Sequence, residues 1–248
     1  MLVRRARRIL ALAVLVGLLG GGVLWAAATR LGWFEHGIAH GPRDRHAVAL
    51  TFDDGLNGAA TLAVAALLEA HGARGTFFIV GQTIEAEAPV AQRLIERGHL
   101  LGNHSYTHPR PSRLDLRYAE LSRTQTAFAQ TLGRCPRYFR PPYGLHTPWI
   151  TAAAQRAGMQ LAGWDVTGWD WADAGPAQDA QQLAARVLRE VQPGSIVLLH
   201  DGRDGAPGAD RTVLLAALPA ILDGLAARGL TPVTLDALLG TTGYLDRC

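Results

Sequence analysis

Short apolar runs alternate with longer amphipathic or alanine- and leucine-rich segments along the chain from Ala47 onward. The short runs predict strands and the longer segments predict helices. The predicted strands cover residues 48–52, 75–80, 99–103, 138–140, 160–164, 195–200 and 230–234. The predicted helices cover residues 59–71, 89–97, 116–132, 148–157, 177–191 and 212–228. This alternation is typical of repeated βα units, whose strands run parallel.

Seven strands with helices between them predict an α/β barrel that is one strand short of the usual eight. A doubly wound open sheet would give nearly the same pattern. Polar residues lie at or just past the C-terminal ends of predicted strands, namely Asp53, Asp54, His104, Arg140, Asp165 and His200. Because these ends converge on one face of a barrel, where active sites are found, their position favours the barrel.

The N-terminal segment is of a different kind. Residues 9–28 are uninterrupted by charge and follow four arginines within residues 4–8. This pattern predicts a transmembrane signal anchor with residues 1–8 in the cytoplasm. Residues 29–45 are then a tether, residues 46–240 an extracytoplasmic domain at a bacterial-type inner membrane, and residues 241–248 a C-terminal tail. The alternative is a signal peptide that is cleaved near Ala28, which would release a secreted protein.

Composition limits the function of the exported part. With 248 residues and 48% hydrophobic content, one well-buried domain is expected. The formal net charge is +3, but without the four N-terminal arginines the chain carries −1, so a nucleic-acid partner is not expected. All 24 basic residues are arginine, which excludes Schiff-base chemistry and a phosphate-loop lysine.

Only two cysteines occur, Cys135 and Cys248. They are too few for a disulfide scaffold, and they are not spaced as a metal site. A single bridge that ties down the C-terminus is possible in an oxidising compartment, and two unpaired thiols are the alternative.

The most informative polar pattern is the pair Asp53 and Asp54, followed downstream by His104 and His108. Two imidazoles and the Asp54 carboxylate would make a three-ligand set with an open position, which is typical of catalytic zinc. Asp53 could then serve as a base. One helical turn would place both histidines on the same side, although Pro109 requires that turn to be short. The alternatives are an ordinary Asp-Gly turn after a strand and two unrelated surface histidines.

Five motifs in order resemble those of polysaccharide deacetylases, which form carbohydrate esterase family four and are also called the NodB homology domain. They are Thr-Phe-Asp-Asp-Gly at 51–55, the segment at 98–109 with both histidines, Arg-Pro-Pro-Tyr-Gly at 140–144, the tryptophan-rich segment at 164–171, and Ile-Val-Leu-Leu-His-Asp at 196–201. The similarity covers about residues 46–240. It implies an irregular seven-stranded (β/α) barrel of the deacetylase type and metal-dependent removal of acetyl groups from N-acetylated glycans.

The resemblance also implies a role for individual residues. The metal ligands are Asp54, His104 and His108, and the metal is zinc, with cobalt as an alternative. Asp53 is the general base, Arg140 the cation beside it, and His200 the general acid. The backbone amide of Tyr143 helps to hold the oxyanion, while Leu198 and Trp171 line the pocket for the acetyl methyl group.

The fourth motif departs from the family pattern. Thr167 stands where the family commonly has an aspartate, so Asp170 or Asp165 must support His200, and we hypothesise that it is Asp170. Two alternative functions remain open at this point. One is removal of O-acetyl groups from a polysaccharide by the same site, and the other is a non-catalytic carbohydrate-binding domain of the cell envelope.

Overall fold

A computed structural model describes residues 37–110, 117–171 and 179–248. The predicted cytoplasmic tail, the predicted anchor at 9–28 and residues 29–36 of the predicted tether lie outside these ranges. Within the three described ranges, no helix is long and apolar enough to cross a bilayer.

Eight strands form one sheet, and every pairing in it is parallel. They are β1 (Ala47–Gly55), β2 (Thr76–Ile79), β3 (Leu100–Asn103), β4 (Tyr138–Phe139), β5 (Gln160–Leu161), β6 (Val166–Thr167), β7 (Ile196–His200) and β8 (Thr231–Val233). The order across the sheet is β5-β4-β3-β2-β1-β7-β6, and β8 pairs with the first part of β1. Strand β1 pairs with β2, β7 and β8, more partners than any other strand of the sheet has.

Seven α-helices accompany these strands in the described part of the chain, the last of them after β8. They are α1 (Gly58–Ala70), α2 (Ala88–Glu96), α3 (Ala119–Leu132), α4 (Pro148–Arg156), α5 (Ala180–Glu190), α6 (Thr212–Ala227) and α7 (Leu235–Leu239). All predicted strands and helices are present, and their ends differ from the predicted ones by at most three residues.

The predicted barrel needs correction in two respects. The sheet has eight strands rather than seven. Strand β6 was not predicted, because Val166 and Thr167 stand between Asp165 and Gly168 and form no apolar run of their own. The sheet is also curled and open: β5 and β6 end the series of pairings, and no pairing joins them in the described residues.

A segment of the predicted tether bridges this opening. Ile38 pairs with Ala162, just beyond β5, and His40 pairs with Ser195, just before β7. The backbone N–H of Gly41 also donates to Gly194 at 2.7 Å. Residues 38–41 thus hydrogen-bond to the chain beside β5 and beside β7, the strand that pairs with the edge strand β6.

Strand β1 separates the core from the site. Val48, Leu50 and Phe52 are fully buried in the apolar cluster that contains the helix residues of α1 and α6. Side chains alternate across a strand, so Thr51 and Asp53 project to the opposite, inner face. A strand that is buried on both faces thereby presents a carboxylate to the interior of the curled sheet.

The C-terminal tail is bonded to the domain. Cys135 and Cys248 form a disulfide across 113 residues of sequence, with their Cα atoms 5.1 Å apart. The Leu245 N–H donates to the Cys135 carbonyl at 2.8 Å, and the Arg137 N–H donates to the Gly243 carbonyl at 3.0 Å. Of the two possibilities that the sequence left open, the bridge is the one present.

Loss of this bridge should destabilise the domain. The disulfide restricts a long loop in the unfolded chain, so its removal typically costs about 2–5 kcal/mol of unfolding free energy. We expect the double variant Cys135→Ser, Cys248→Ser to unfold at a lower urea concentration than the oxidised protein. Equal unfolding midpoints for the two proteins would contradict this expectation.

Candidate metal and catalytic site

The predicted site residues converge at the C-terminal ends of the central strands. Asp53 and Asp54 lie near the end of β1, His104 follows β3, Arg140 follows β4, and His200 ends β7. Except for Arg140, which lies behind Asp53, these residues line one cavity of about 530 Å³. Its wall also includes His108, Tyr143, Gly144, Trp164, Trp171, Leu198, Gly202, Arg203, Asp204 and Arg211.

The turn at the end of β1 brings two adjacent carboxylates to one side. Asp54 has a φ of 72°, in the left-handed region, and the pairing register with β2 shifts between Asp53 and Gly55. In a regular strand these neighbours would point to opposite faces. A Cβ atom at Gly55 would lie 2.4 Å from a carboxylate oxygen of Asp201, so the turn requires glycine there.

Arg140 holds the Asp53 carboxylate. Its guanidinium is completely buried and donates at 2.7 Å to Asp53 Oδ1 and at 2.8 Å to Thr51 Oγ1. It also donates to the carbonyls of Ala162 and Gly163. Burial lowers the pKa of Arg140, while the Asp53 carboxylate counteracts this effect. Removal of one partner would leave an uncompensated buried charge, at a typical cost of about 3–5 kcal/mol.

The orientation of His104 is fixed by the backbone of Arg140. Its Nδ1 donates to the Arg140 carbonyl at 2.8 Å, an assignment that follows because a carbonyl can only accept. In the neutral ring Nε2 then carries a lone pair, and it lies 3.3 Å from Asp54 Oδ1. This arrangement of the two ring nitrogens is typical of metal-ligating histidines.

His108 reaches the same oxygen through an irregular loop. Its Nε2 is 3.1 Å from Asp54 Oδ1, and its ring centroid is 5.0 Å from that of His104. The predicted helical turn is wrong, since Ser105 and His108 have φ values of 68° and 54°. The Ser105 N–H instead donates to Asn103 Oδ1, and the His108 N–H donates to Ser105 Oγ.

These three side chains fit a divalent metal ion. Their ligand atoms lie within 4.8 Å of one another, and all three residues are buried. Asp54 Oδ1 has no hydrogen-bond partner although it is enclosed. An unpartnered carboxylate oxygen between two imidazole nitrogens is the donor set that suits zinc.

His200 is the register partner of Asp53 on the adjacent strand β7, and its ring is paired with Asp170. His200 Nδ1 is 3.0 Å from Asp170 Oδ1, and the His200 backbone N–H donates to Asp170 Oδ2 at 2.8 Å. Burial lowers the pKa of His200, but Asp170 outweighs burial, with help from Asp53 and Asp54, and raises it to about 9. The hypothesis that Asp170 is the neighbour of His200 therefore agrees with the geometry.

Asp165, the other candidate, lies elsewhere. It accepts from Arg43 at 2.7 Å, from Ser195 Oγ at 3.0 Å and from the Ile196 N–H at 2.8 Å. Thr167 belongs to β6 and accepts a bond from the Trp169 N–H through its own hydroxyl. Asp165 thus joins the segment before β1 to the start of β7, away from His200.

The three predicted substrate-contact residues all line the cavity. Tyr143 has a φ of 58°, and its ring centroid lies 4.8 Å from that of His108. The N–H groups of Gly144 and Leu145 close the turn there by donating to the carbonyls of Pro141 and Pro142. The Tyr143 N–H takes no part in these two bonds. Leu198 is almost fully buried, whereas Trp171 is 36% exposed and lies edge-on to the His200 ring.

Two aspartates near the site, Asp201 and Asp204, were not predicted as site residues from the sequence. Asp201 is fully buried, and the Thr61 hydroxyl donates to it. Burial is the main cause that raises the pKa of Asp201 to about 7. Asp204 Oδ1 lies 2.6 Å from His108 Nδ1. Asp201 belongs to the quoted fifth motif, but no sequence signal distinguishes Asp204 from other loop aspartates.

Comparison with known proteins gives consistent matches. The polysaccharide deacetylase family profile matches residues 40–162. A chitooligosaccharide deacetylase of Bradyrhizobium sp. (strain ANU 289) is 34% identical over 170 residues, covering 66% of this chain and 74% of the relative.

Two solved structures are also similar. The Bc1960 peptidoglycan N-acetylglucosamine deacetylase superposes with a TM-score of 0.76 at 28% identity, covering 86% of this chain and 98% of that one. A family 4 acetyl xylan esterase from Clostridium thermocellum, in complex with a cobalt ion, gives a TM-score of 0.69 at 30% identity, covering 79% and 93%.

Asp170→Asn should lower the pKa of His200. The wild-type ring is expected to stay protonated at pH 8 in the metal-free protein, because its pKa is about 9. Without the carboxylate, burial dominates and the pKa should fall toward or below the ordinary value of about 6.5. An NMR titration of the imidazole measures this change. Asp165→Asn is the matched control and should leave the His200 pKa unchanged; equal pKa values in wild type and Asp170→Asn would refute the pairing.

Proposed function

This chain belongs to the polysaccharide deacetylase family, and we propose that it hydrolyses N-acetyl groups of an amino-sugar polymer or oligosaccharide at a metal centre formed by Asp54, His104 and His108. The observation that carries the proposal is the unpartnered Asp54 Oδ1 between two imidazole nitrogens. Asp53 and His200, register partners on β1 and β7, line the same cavity and complete a base and acid pair.

The proposed metal is zinc, with cobalt as the alternative. When bound, a divalent cation would polarise the acetyl carbonyl and lower the pKa of a water molecule toward about 7. The protein supplies two imidazoles and one carboxylate, which leaves at least one coordination position open for chemistry.

Asp53 is the proposed general base. Arg140 bonds to Asp53 Oδ1, while Oδ2 lies 3.7 Å from His104 Nε2 and so faces the proposed metal position. The bond from the buried guanidinium to Oδ1 fixes the orientation of the carboxylate. Asp53 can then take the proton from the attacking water through the oxygen that Arg140 leaves open.

His200 is the proposed general acid for the departing sugar nitrogen. Asp170 holds the ring through Nδ1, so Nε2 is the atom that can donate. A raised pKa keeps the ring protonated at neutral pH before the carbon–nitrogen bond breaks. Amide hydrolysis needs this donor because the sugar nitrogen is a poor leaving group unless it receives a proton as the carbon–nitrogen bond breaks.

The substrate-contact roles follow from position. The Tyr143 N–H is proposed to donate to the oxygen of the acetyl group as negative charge develops there. Leu198 and Trp171 offer apolar surface beside His200 for the methyl group. These contacts would place the acetyl carbon between the base and the acid.

A second candidate function is removal of O-acetyl groups. The likeness to an acetyl xylan esterase favours it as the alternative, since that relative has 30% identity to this chain. Esters depend less on leaving-group protonation than amides do. Loss of His200 or Asp170 should therefore slow amide hydrolysis more than ester hydrolysis. A non-catalytic sugar-binding role is less well supported, because the ligand, base and acid side chains are all present.

The proposed location is the outer side of a bacterial-type inner membrane, with residues 9–28 as a single-pass anchor. The arginines at 4–8 and the uncharged stretch after them support this orientation. The disulfide also supports an oxidising compartment, because such bonds are rare in the cytosol. The glycan substrate would then belong to the cell envelope or to an exported polymer.

Two neighbouring substitutions separate the proposed base from the proposed metal ligand. Asp53→Asn should lower acetate release by about 10²–10⁴-fold while zinc affinity stays close to that of wild type. Asp54→Asn should lose both activity and zinc affinity, because the ligand carboxylate is gone. Acetate release from N-acetylated chitooligosaccharides, peptidoglycan and acetylated xylan, together with a zinc titration, measures both effects.

Each variant removes one charge from the same turn, but only Asp53→Asn leaves the buried Arg140 without its carboxylate. A wild-type protein that binds no divalent metal, or an Asp53→Asn enzyme with unchanged acetate release, would refute the proposed mechanism. The substrate with the highest rate also decides between the amide and ester candidates.

The localisation proposal predicts a membrane-bound protein of full length. After expression in a bacterium, the chain should sediment with the membranes and be digested by protease added from the periplasmic side. A soluble periplasmic form that begins near residue 29 would instead identify a cleaved signal. A soluble cytoplasmic form would refute both versions of export.

A further inference from the structure

We propose that Asp204 is a positioning residue for the metal ligand His108, a role that rests on the proposed metal-dependent function. Asp204 Oδ1 lies 2.6 Å from His108 Nδ1, the ring nitrogen that faces away from Asp54. His108 Nε2 lies on the opposite edge of the ring, 3.1 Å from Asp54 Oδ1. The imidazole thus stands between the proposed metal position and the Asp204 carboxylate.

The loop that carries Asp204 is built against the metal-ligand turn. A Cβ atom at Gly202 would lie 2.2 Å from the Asp54 carbonyl oxygen, so only glycine allows this close approach. The Gly202 N–H donates to the Asp53 carbonyl at 3.3 Å, and the Gly205 N–H donates to the Asp54 carbonyl at 3.2 Å. The loop is therefore hydrogen-bonded to the backbone of both site aspartates.

The backbone at Asp204 and Gly205 is also constrained, because both residues are left-handed. Asp204 has a φ of 49°, a left-handed conformation that aspartate tolerates better than most residues. Gly205 also has a positive φ of 69°, and a Cβ atom there would lie 2.8 Å from Val80 Cγ1. Two consecutive left-handed residues reverse the chain and direct the Asp204 side chain toward His108.

The chemical role follows from how histidine binds metals. A ligating imidazole usually donates its other N–H to a carboxylate or carbonyl, which fixes the tautomer and makes the ring a better ligand. His104 already has such an acceptor in the Arg140 carbonyl. Asp204 gives His108 the corresponding acceptor. His108 Nδ1 and Asp204 Oδ1 are close but not aligned as a hydrogen bond. The Asp204 side chain is 58% exposed, so a small rotation would align the two atoms.

The test compares zinc affinity in full-length variants that start metal-free. Asp204→Gly removes the carboxylate and suits the left-handed backbone. Asp204→Asn keeps the shape and one acceptor oxygen. Asp223→Asn removes one charge from an exposed aspartate on α6 and serves as the control. Competition with a fluorescent zinc chelator gives each dissociation constant, and thermal unfolding of the metal-free proteins reports any structural damage.

We expect Asp204→Gly to weaken zinc binding by about 10–100-fold. Asp204→Asn should weaken it by about 2–10-fold, because a neutral acceptor makes a weaker bond than a carboxylate. Asp223→Asn should bind zinc as the wild type does, and the metal-free unfolding temperatures should agree. If Asp204→Gly proves unstable, Asp204→Asn carries the test alone.

Wild-type zinc affinity in the folded Asp204 variants would overturn the role of Asp204 and leave the proposed function intact. Failure of the wild-type protein itself to bind zinc is a different result, because it would overturn the metal-dependent function and the inference together. The same assay therefore distinguishes the two failures.

Discussion

The guanidinium of Arg140 is completely enclosed in protein and lies 2.7 Å from a carboxylate oxygen of Asp53. This buried ion pair is the constraint on which the site depends. It occupies one oxygen of the first aspartate, so that the second aspartate, Asp54, is left to face the histidines. The carbonyl of the same arginine accepts from His104 Nδ1 and orients that ring as well. One residue after β4 thus supports the proposed base and a proposed ligand together.

Left-handed backbone conformations position the other polar groups of the site. Asp54, Ser105, His108, Tyr143 and Asp204 all have positive φ values, although none is glycine. Such conformations cost free energy and persist only where the surrounding contacts determine them. Their concentration around one cavity shows that the loops after the strands place polar groups there at a cost in local stability. The buried β1 strand provides the stable base that these loops need.

The fold was largely predictable because its strands and helices leave strong local patterns. The apolar run of β1 and the long amphipathic helices were visible in sequence, whereas the two-residue β6 and the five-residue α7 were not. The open edge of the sheet could not be predicted either, because its bridge through residues 38–41 consists of contacts distant in sequence.

The site residues also fall into those that the sequence revealed and those that it did not. Asp53, Arg140 and His200 were found through their position at strand ends, and the family motifs supplied their roles. The left-handed turn at His108 escaped prediction because side-chain bonds within the loop outweigh helical propensity there. The position of Asp204 depends on the packing of its loop against β1, and no local pattern in the sequence encodes that contact.

Asp53 and Asp54 divide the roles of base and metal ligand, and anomalous X-ray diffraction from zinc-loaded crystals can show this division. We expect one zinc ion bound by Asp54 and by Nε2 of His104 and His108, with Asp53 still bonded to Arg140 and outside the ligand set. A zinc ion ligated by Asp53, or an anomalous signal elsewhere with none at Asp54, would contradict it.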